Sequence, residues 1–133
     1  MYLFDTDTIT NILKKRPSQK LVWKLEKLDK SCQFISTITI AEIIYGAYKS
    51  SDPVYHIENL EKILLPIVNI VGFDEKAAYI CGRLRAELEK KGQPLSFADL
   101  QIASVAIANN LTLITGNTKH LERISELEID NWL

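Results

Sequence analysis

The sequence predicts an α/β layer fold with a mostly parallel central sheet of four to five strands. Two observations predict it: short, uninterrupted apolar runs recur along the chain, and helical patterns lie between them. Uninterrupted apolar runs are typical of parallel strands that helices cover on both faces. Strands that alternate with helices favour this layered class. The expected strands are residues 2–4, 33–36, 67–71 and 111–114, with a weaker fifth at 127–129.

Five helices are predicted between the strands, because apolar residues recur there every three or four positions. Their apolar stripes cover residues 21–28, 40–47, 57–64, 77–88 and 98–106. Asp74 is expected to cap the fourth of these helices, and Pro66 to end the third. Gly46 and Gly82 fall inside two of the patterns, where we expect them to permit close packing.

Length and composition predict one globular domain spanning residues 1–133. Hydrophobic residues make up 47% and charged residues 25% of the chain, which argues against disorder and coiled coil. No apolar run is long enough to span a membrane, and the first residues do not resemble a signal peptide. Cys32 and Cys81 lie far apart without a CxxC motif. We therefore expect reduced, buried thiols in a cytoplasmic protein.

The charge balance excludes a small basic module that holds nucleic acid by bulk charge alone. Lys and Arg number 16 and Asp and Glu number 17, for a formal net charge of −1. Basic residues are nevertheless concentrated between Lys14 and Lys30. This segment predicts either a basic face or a solvated helix surface.

Polar residues follow several of the predicted strands. Asp5 comes directly after the first strand, and Glu42 lies one helical turn beyond the end of the second. Asp99 falls in the first turn of a helix that follows a Gly/Pro loop, and Asn117 follows the strand at 111–114. Ligands bind beyond the carboxyl ends of strands in an open parallel sheet. We therefore expect these four residues to face one crevice.

Carboxylates gathered in one crevice repel one another unless a cation lies among them. Asp and Glu oxygens suit Mg²⁺ or Mn²⁺, whereas His56 and His120 are isolated and form no zinc motif. Magnesium held by few carboxylates usually meets substrate phosphates. The pattern therefore indicates metal-assisted hydrolysis of a phosphodiester, with Glu42 completing the ligand set or activating the attacking water.

Helix capping is the competing interpretation of the same acids. Thr39 with Glu42, and Ser96 with Asp99, both match the capping-box spacing. Asp5 could likewise cap the helix that follows it. The residues alone leave both interpretations open.

Four motifs together resemble the PIN-domain ribonucleases, and most of all the VapC toxins of toxin–antitoxin pairs. The motifs are Phe4-Asp5-Thr6-Asp7, Ala41-Glu42-Ile43 with Gly46, Ser96-Phe97-Ala98-Asp99 with the residues to 103, and Leu113-Ile114-Thr115-Gly116-Asn117-Thr118. The resemblance implies a three-layer α/β/α domain around a parallel sheet. It also implies an endoribonuclease that depends on Mg²⁺ or Mn²⁺.

The resemblance assigns roles to individual residues. Asp5, Glu42 and Asp99 match the acids that hold the metal in this family. Asn117 falls where many members carry a fourth acid, so it would orient water or a second, looser ion. Thr6 and Thr115 match small hydroxyl positions beside the metal.

The resemblance also implies partners: RNA as substrate, a second copy in a homodimer, and a VapB-like antitoxin whose tail enters the site. Arg83 and Arg85 are then candidates for contacts with RNA phosphates or with the antitoxin. The stretch Lys14-Lys15-Arg16 is a candidate for steering RNA to the site.

Two other functions fit parts of the sequence. The opening residues Phe4 to Ile9 also match haloacid-dehalogenase-like phosphatases, in which Asp5 would be the nucleophile and Asp7 the acid/base. The later acidic pair of that family is missing here. A catalytically degenerate binding scaffold is the other alternative, because position 117 is an amide rather than an acid.

Overall fold

A five-stranded parallel sheet forms the centre of the computed structural model, which describes residues 1–133. The strands are β1 (Tyr2–Phe4), β2 (Gln33–Ser36), β3 (Asn69–Val71), β4 (Thr112–Ile114) and β5 (Ile129–Asp130). Their order is β3-β2-β1-β4-β5, and every neighbouring pair is parallel. The predicted sheet class is confirmed, and β1 is its central strand.

Seven α-helices connect and cover the strands. They are α1 (Thr6–Ile12), α2 (Gln19–Glu26), α3 (Thr37–Lys49), α4 (Pro53–Asn59), α5 (Glu75–Lys90), α6 (Phe97–Ala108) and α7 (Thr118–Leu121). The helix α4 continues into a π-helical turn at Leu60–Leu64, and 3₁₀ turns lie at Lys30–Cys32 and Leu65–Ile67. None of these helices has the length and apolar content that a bilayer crossing requires.

Side chains of the sheet alternate between two separate cores. Leu3 and Leu113 pack on one face with buried residues of α5 and α6. Phe4 and Ile35 point to the opposite face and pack with Ile9 of α1 and with buried residues of α2 and the π-helical turn. This period-two alternation, with apolar residues on both sides, is what a sheet covered on both faces requires. The three-layer arrangement that the resemblance implied is therefore confirmed.

The N-termini of the helices are capped by short polar side chains. Asp74 Oδ1 accepts the Ala77 N–H at 2.9 Å, so the predicted cap of α5 is confirmed. Ser36 caps α3, because its Oγ accepts the Thr39 N–H at 3.1 Å. The capping-box interpretation of Thr39 and Glu42 is therefore wrong: α3 begins three residues earlier than that pattern requires, and Glu42 lies in its second turn.

Three strand boundaries differ from the prediction because turns occupy the first or last apolar residues. Leu111 donates its N–H to Ala106 O and closes the end of α6, with Asn110 in the left-handed region at φ 54°, so β4 begins at Thr112. The 3₁₀ turn through Ile67 delays β3 to Asn69. The N–H of Leu127 donates to Ile124 O in a turn, so β5 begins only at Ile129.

Two expectations about small residues are also corrected. Cys81 is buried as predicted, whereas Cys32 is only half-buried because it lies in a 3₁₀ turn at the rim of the sheet. A Cβ added to Gly46 or to Gly82 would meet no atom within 4 Å. Both glycines face open space on their helices, so the close packing expected for them is wrong.

An aromatic and ionic cluster holds the segment after β5 against β1 and α2. The buried Trp132 ring packs 4.8 Å from the Tyr2 ring and 5.7 Å from the Phe4 ring. Its Nε1–H donates to Asp130 Oδ2 at 2.9 Å, and Lys24 Nζ lies 3.9 Å from the same oxygen. The hydrogen bond from Trp132 is the main cause that holds the pKa of Asp130 below its ordinary value of 3.8.

Replacing two glycines, one inside α5 and one just after it, should have opposite effects on stability. Gly92 follows the end of α5 at φ 67°, where an L side chain is strained, so Gly92→Ala should destabilise the fold by about 1 kcal/mol. Gly82→Ala meets no atom and reduces the entropy of the unfolded chain, so it should stabilise by about 0.5–1 kcal/mol. Urea unfolding of the two variants measures both changes, and shifts of the same sign would contradict this account.

The contribution of Asp130 to stability should depend on acidic pH. Its folded pKa is lowered, so the stabilisation is fully present above the unfolded value and is lost as pH falls through the lower, folded pKa. Below about pH 4 the free energy of unfolding should therefore fall more steeply in the parent than in Asp130→Asn. The difference should be small, because the carboxylate is half exposed. Parallel pH profiles for the two proteins would show that Asp130 does not contribute in this way.

Candidate active site

Asp5 is a nearly buried carboxylate at the carboxyl end of the central strand. Only 8% of the Asp5 surface is exposed to solvent, because β2 and β4 flank β1 on both sides. Asp5 Oδ1 accepts the Thr8 N–H at 2.9 Å and so caps α1. The backbone N–H of Asp5 donates to Ile114 O of β4 at 3.1 Å. The capping interpretation of Asp5 is thus correct, and the same geometry fixes its carboxylate at the edge of the sheet.

Burial raises the pKa of Asp5 above its ordinary value. Desolvation is the largest cause, and the nearby Asp7 carboxylate adds to it. Hydrogen bonds from the Thr115 side chain and from Thr8 act in the opposite direction but do not cancel the effect of burial. The ionised form of Asp5 is therefore incompletely compensated by the protein itself.

Thr6 joins Glu42 to the Asp5 edge of the sheet. Its hydroxyl donates to Glu42 Oε1 at 2.6 Å, across 36 positions of sequence, and lies 3.2 Å from the Thr39 hydroxyl. Glu42 is exposed and does not cap α3, so its carboxylate is available to a ligand. The structure therefore places Glu42 next to the residue that follows Asp5.

The loop after β4 forms the other side of the Asp5 edge. Thr115 is fully buried, and its Oγ1 accepts the Asn117 N–H at 2.9 Å. Asn117 Oδ1 lies 2.6 Å from His120 Nδ1 in the first turn of α7. Hydrogen bonds thus connect His120 to Asn117 and Asn117 to Thr115, and the Asp5 N–H bonds to Ile114, the residue before Thr115.

Asp99 lies in the first turn of α6. Ser96 caps this helix, and its Oγ accepts the Asp99 N–H at 3.2 Å. The Asp99 carboxylate makes no reciprocal hydrogen bond to Ser96 and no salt bridge, so only half of the predicted capping box forms. Because α6 leads into the parallel strand β4, its first turn lies at the edge where the strands end, and α6 also contacts α3.

The predicted crevice is thus assembled in part. Asp5 is linked to Glu42 through Thr6 on one side and to Asn117 through Thr115 on the other. No hydrogen bond connects Asp99 to these residues, and no three Asp, Glu, His or Cys side chains lie close enough together to form a ready-made metal site. Metal binding by Asp5, Glu42 and Asp99 therefore stays a prediction.

The two candidate arginines of α5 are already paired with carboxylates. Arg83 forms a fork with Glu126, at 2.9 and 2.8 Å, and also contacts Glu87. These hydrogen bonds raise the pKa of Arg83. Arg85 pairs with Glu89 at 3.2 Å, and its guanidinium lies 5.6 Å from the ring centroid of Phe97. Arg85 is thus beside the turn that holds Asp99, but RNA or antitoxin contact by either arginine stays a prediction.

A groove of about 430 Å³ opens beside Glu42, between α1, α3 and α4. Apolar side chains of Leu13, Ile43 and Ala47 contribute to its lining, together with Tyr55. Thr6 and Glu42 line it as well, so the groove is continuous with the candidate site. The same lining includes Lys14 and Lys15, the pair considered for RNA steering.

Sequence reasoning missed the participation of His120 and of the groove residues on α4. His120 was expected to be isolated, whereas it bonds to Asn117 three positions earlier. That spacing on a helix is a recognisable signal of contact. Tyr55, His56 and Asn59 reach the groove only through the packing of α4 near α3, which no local pattern indicates.

Comparison with known proteins decides the family. The PIN domain family matches residues 2–127. The chain belongs to this family.

Its relatives are VapC proteins. Ribonuclease VapC2 of Rickettsia felis is 38% identical over 133 residues, covering 99% of this chain and 98% of the relative. The tRNA(fMet)-specific endonuclease VapC of Salmonella typhimurium is 33% identical over 131 residues, covering 98% and 97%. Among solved structures, the chain matches the crystal structure of VapBC2 from Rickettsia felis bound to a promoter DNA fragment, with a TM-score of 0.91. That match covers 99% of this chain and 98% of the other chain, at 38% sequence identity.

These matches confirm the family and the fold that the resemblance implied. The PIN protein described here is a VapC-type member of a ribonuclease family. The phosphatase alternative loses its support, because β4 is followed by Thr115-Gly116-Asn117 without an acid.

Proposed function

We propose that this PIN protein is a toxin endoribonuclease that needs a divalent cation, with Mg²⁺ or Mn²⁺ as the ion. The buried carboxylate of Asp5 is the observation that carries the proposal. A raised pKa at a strand end beside a groove is typical of a functional site rather than of a purely structural cap. The relatives are a ribonuclease and a tRNA(fMet)-specific endonuclease, which supports RNA as the substrate class.

The donor chemistry of the site fits a hard divalent cation. The candidate ligands Asp5, Glu42 and Asp99 all offer carboxylate oxygens, and neither cysteine forms part of the site. Burial leaves the charge of Asp5 incompletely compensated, and a cation would supply the missing compensation. Asp5 and Asp99 would hold the ion, with Glu42 completing the ligand set or acting on the attacking water. The ion would lower the pKa of a bound water and offset charge on the phosphate.

Each residue of the site then has its own role in hydrolysis. Glu42, held by the Thr6 hydroxyl, is placed to orient the attacking water and accept its proton. Water would attack phosphorus while the 3′-oxygen leaves, which gives a 5′-phosphate product. The Thr8 N–H keeps the Asp5 carboxylate oriented through its hydrogen bond to Oδ1. Lys14 and Lys15 would attract the RNA backbone along the groove.

Replacing Asp5 should abolish RNA cleavage without unfolding the protein. We expect Asp5→Asn to retain the cap of α1 and to lower the rate by at least about 100-fold. Even residues that only support metal ligands typically cost 10–100-fold when mutated. Asp7→Asn is the matched control, because it removes an exposed acid two positions away on the same helix turn and should change the rate little. The readout is cleavage of a labelled RNA with Mg²⁺ or Mn²⁺, followed by mapping of the 5′ ends.

Two results would contradict the proposal. Cleavage by Asp5→Asn at the parent's rate would show that Asp5 does not act in the reaction. Calorimetry that detects no Mn²⁺ binding at millimolar concentrations, together with absence of cleavage, would favour the degenerate scaffold instead.

We also propose that a VapB-like antitoxin docks in the groove beside Glu42. The solved relatives include VapBC2 of Rickettsia felis, with a chain of nearly the same length and fold as this one, and a toxin–antitoxin complex from Klebsiella pneumoniae. The apolar lining from Leu13, Ile43 and Tyr55 suits apolar side chains of a partner segment, and Lys14 and Lys15 suit acidic ones. The homodimer and a cytoplasmic location, where the RNA substrate would lie, remain proposals of the same kind.

A bulky residue at Gly46 should block the groove. Gly46 lines the groove and an added Cβ meets no atom within 4 Å, so the side chain of Gly46→Trp would begin in the space that the partner needs. We expect at least about a tenfold loss of affinity for the antitoxin encoded by the neighbouring gene, measured by calorimetry. Gly82→Trp is the control, since Gly82 is equally open but lies on α5. Equal affinity of the two variants would place the antitoxin elsewhere.

A further inference from the structure

The hydrogen bond between Asn117 and His120 fixes the direction of an amide in the candidate site. Asn117 Oδ1 lies 2.6 Å from His120 Nδ1. An amide oxygen only accepts hydrogen bonds, so the ring nitrogen carries the proton and donates it. No other hydrogen bond or ion pair in the chain uses the His120 ring, so its contact with Asn117 is its one defined interaction.

This contact determines which end of the amide is free. Asn117 Oδ1 is occupied by His120, whereas Asn117 Nδ2 has no partner within the chain. An –NH₂ group offers two donors and no lone pair for a cation. It is suited to donate to a phosphate oxygen, which is how neutral side chains commonly hold nucleic acid backbones.

The backbone of the same residue is tied to Asp5. The Asn117 N–H donates to Thr115 Oγ1 at 2.9 Å, and the Asp5 N–H donates at 3.1 Å to the oxygen of Ile114, the residue before Thr115. The loop is therefore fixed relative to the candidate catalytic carboxylate. The side-chain torsions of Asn117 are the remaining freedom, and His120 restricts them.

We propose that Asn117 donates a hydrogen bond to a phosphate of the bound RNA and that His120 is the positioning residue that turns its amide for this purpose. In this assignment Asn117 does not orient water or provide an oxygen ligand to a second, looser ion, the roles that its position suggested. The proposal rests on the proposed ribonuclease function, because it assumes RNA at the Asp5 edge.

Five variants separate the two roles: Asn117→Ala, Asn117→Asp, His120→Ala, His120→Gln and the double variant Asn117→Ala/His120→Ala. Affinity for a short single-stranded RNA is measured in chelator, where no cleavage occurs, and kcat and KM are measured with Mn²⁺. Urea midpoints confirm that each variant is folded.

We expect Asn117→Ala and His120→Ala each to weaken RNA binding about 10-fold, as for a lost hydrogen bond to a charged oxygen. The double variant should lose no more than Asn117→Ala alone, since His120 acts only through Asn117. KM should rise more than kcat falls, and the Mn²⁺ concentration for half activity should not change. His120→Gln, which keeps a side-chain N–H donor, should recover part of the affinity.

Asn117→Asp gives the decisive contrast. A carboxylate there can still accept from His120 but repels the phosphate, so RNA binding should weaken at least as much as in Asn117→Ala. Unchanged RNA affinity with tighter Mn²⁺ activation would overturn the proposal and make residue 117 an oxygen ligand. Additive losses in the double variant would equally overturn the positioning role of His120.

The outcome also separates this inference from the proposed function. A parent protein that cleaves RNA while all variants bind RNA normally would remove this assignment and leave the ribonuclease function standing. A parent that never cleaves, with RNA binding weakened in the expected pattern, would remove the ribonuclease function and support the phosphate contact.

Discussion

The cost of burying one carboxylate at the end of the central strand governs the arrangement around it. Asp5 is shielded because β1 lies between β2 and β4, and an ionised group in such a place needs compensation. The protein supplies the N-terminus of α1 through the Thr8 N–H and the hydrogen bond from Thr115. These contacts leave the pKa still raised, so the ionised carboxylate is less stable here than in water, and a cation beside it would offset that cost.

Local patterns predicted the fold well where local forces decide it. The strands β1 and β2 and the Asp74 cap follow directly from apolar runs and cap chemistry, and the structure has them as predicted. The boundaries of β3, β4 and β5 were wrong because backbone turns compete for the same apolar residues. Asn110 shows why: its left-handed backbone conformation ends α6 and begins a turn. An asparagine in the sequence is only a weak indication of a helix end.

The residues of the candidate site could be predicted from the sequence, whereas the hydrogen bonds between them could not. Asp5 and Asp99 could be placed at strand and helix ends, whereas the role of Glu42 depended on whether Ser36 or Thr39 caps α3. Both are good caps, and the end of β2 decided between them. The hydrogen bond from Thr6 to Glu42 spans 36 positions, and only the pairing of β1 with β2 brings its ends together. Such a contact is a consequence of topology rather than of any motif.

The shared lining of groove and site has a direct consequence for regulation. Thr6 and Glu42 belong to both, and Lys14 and Lys15 line the same groove. A partner segment seated there would contact Glu42 and cover the basic pair at once, so it would exclude RNA and the attacking water by occupancy. Inhibition of this kind needs no change in the fold, since Asp5 and the Thr8 N–H that holds its carboxylate lie outside the groove lining. The toxin could therefore be released fully formed when its partner is removed, with the activity limited by the lifetime of the complex rather than by refolding.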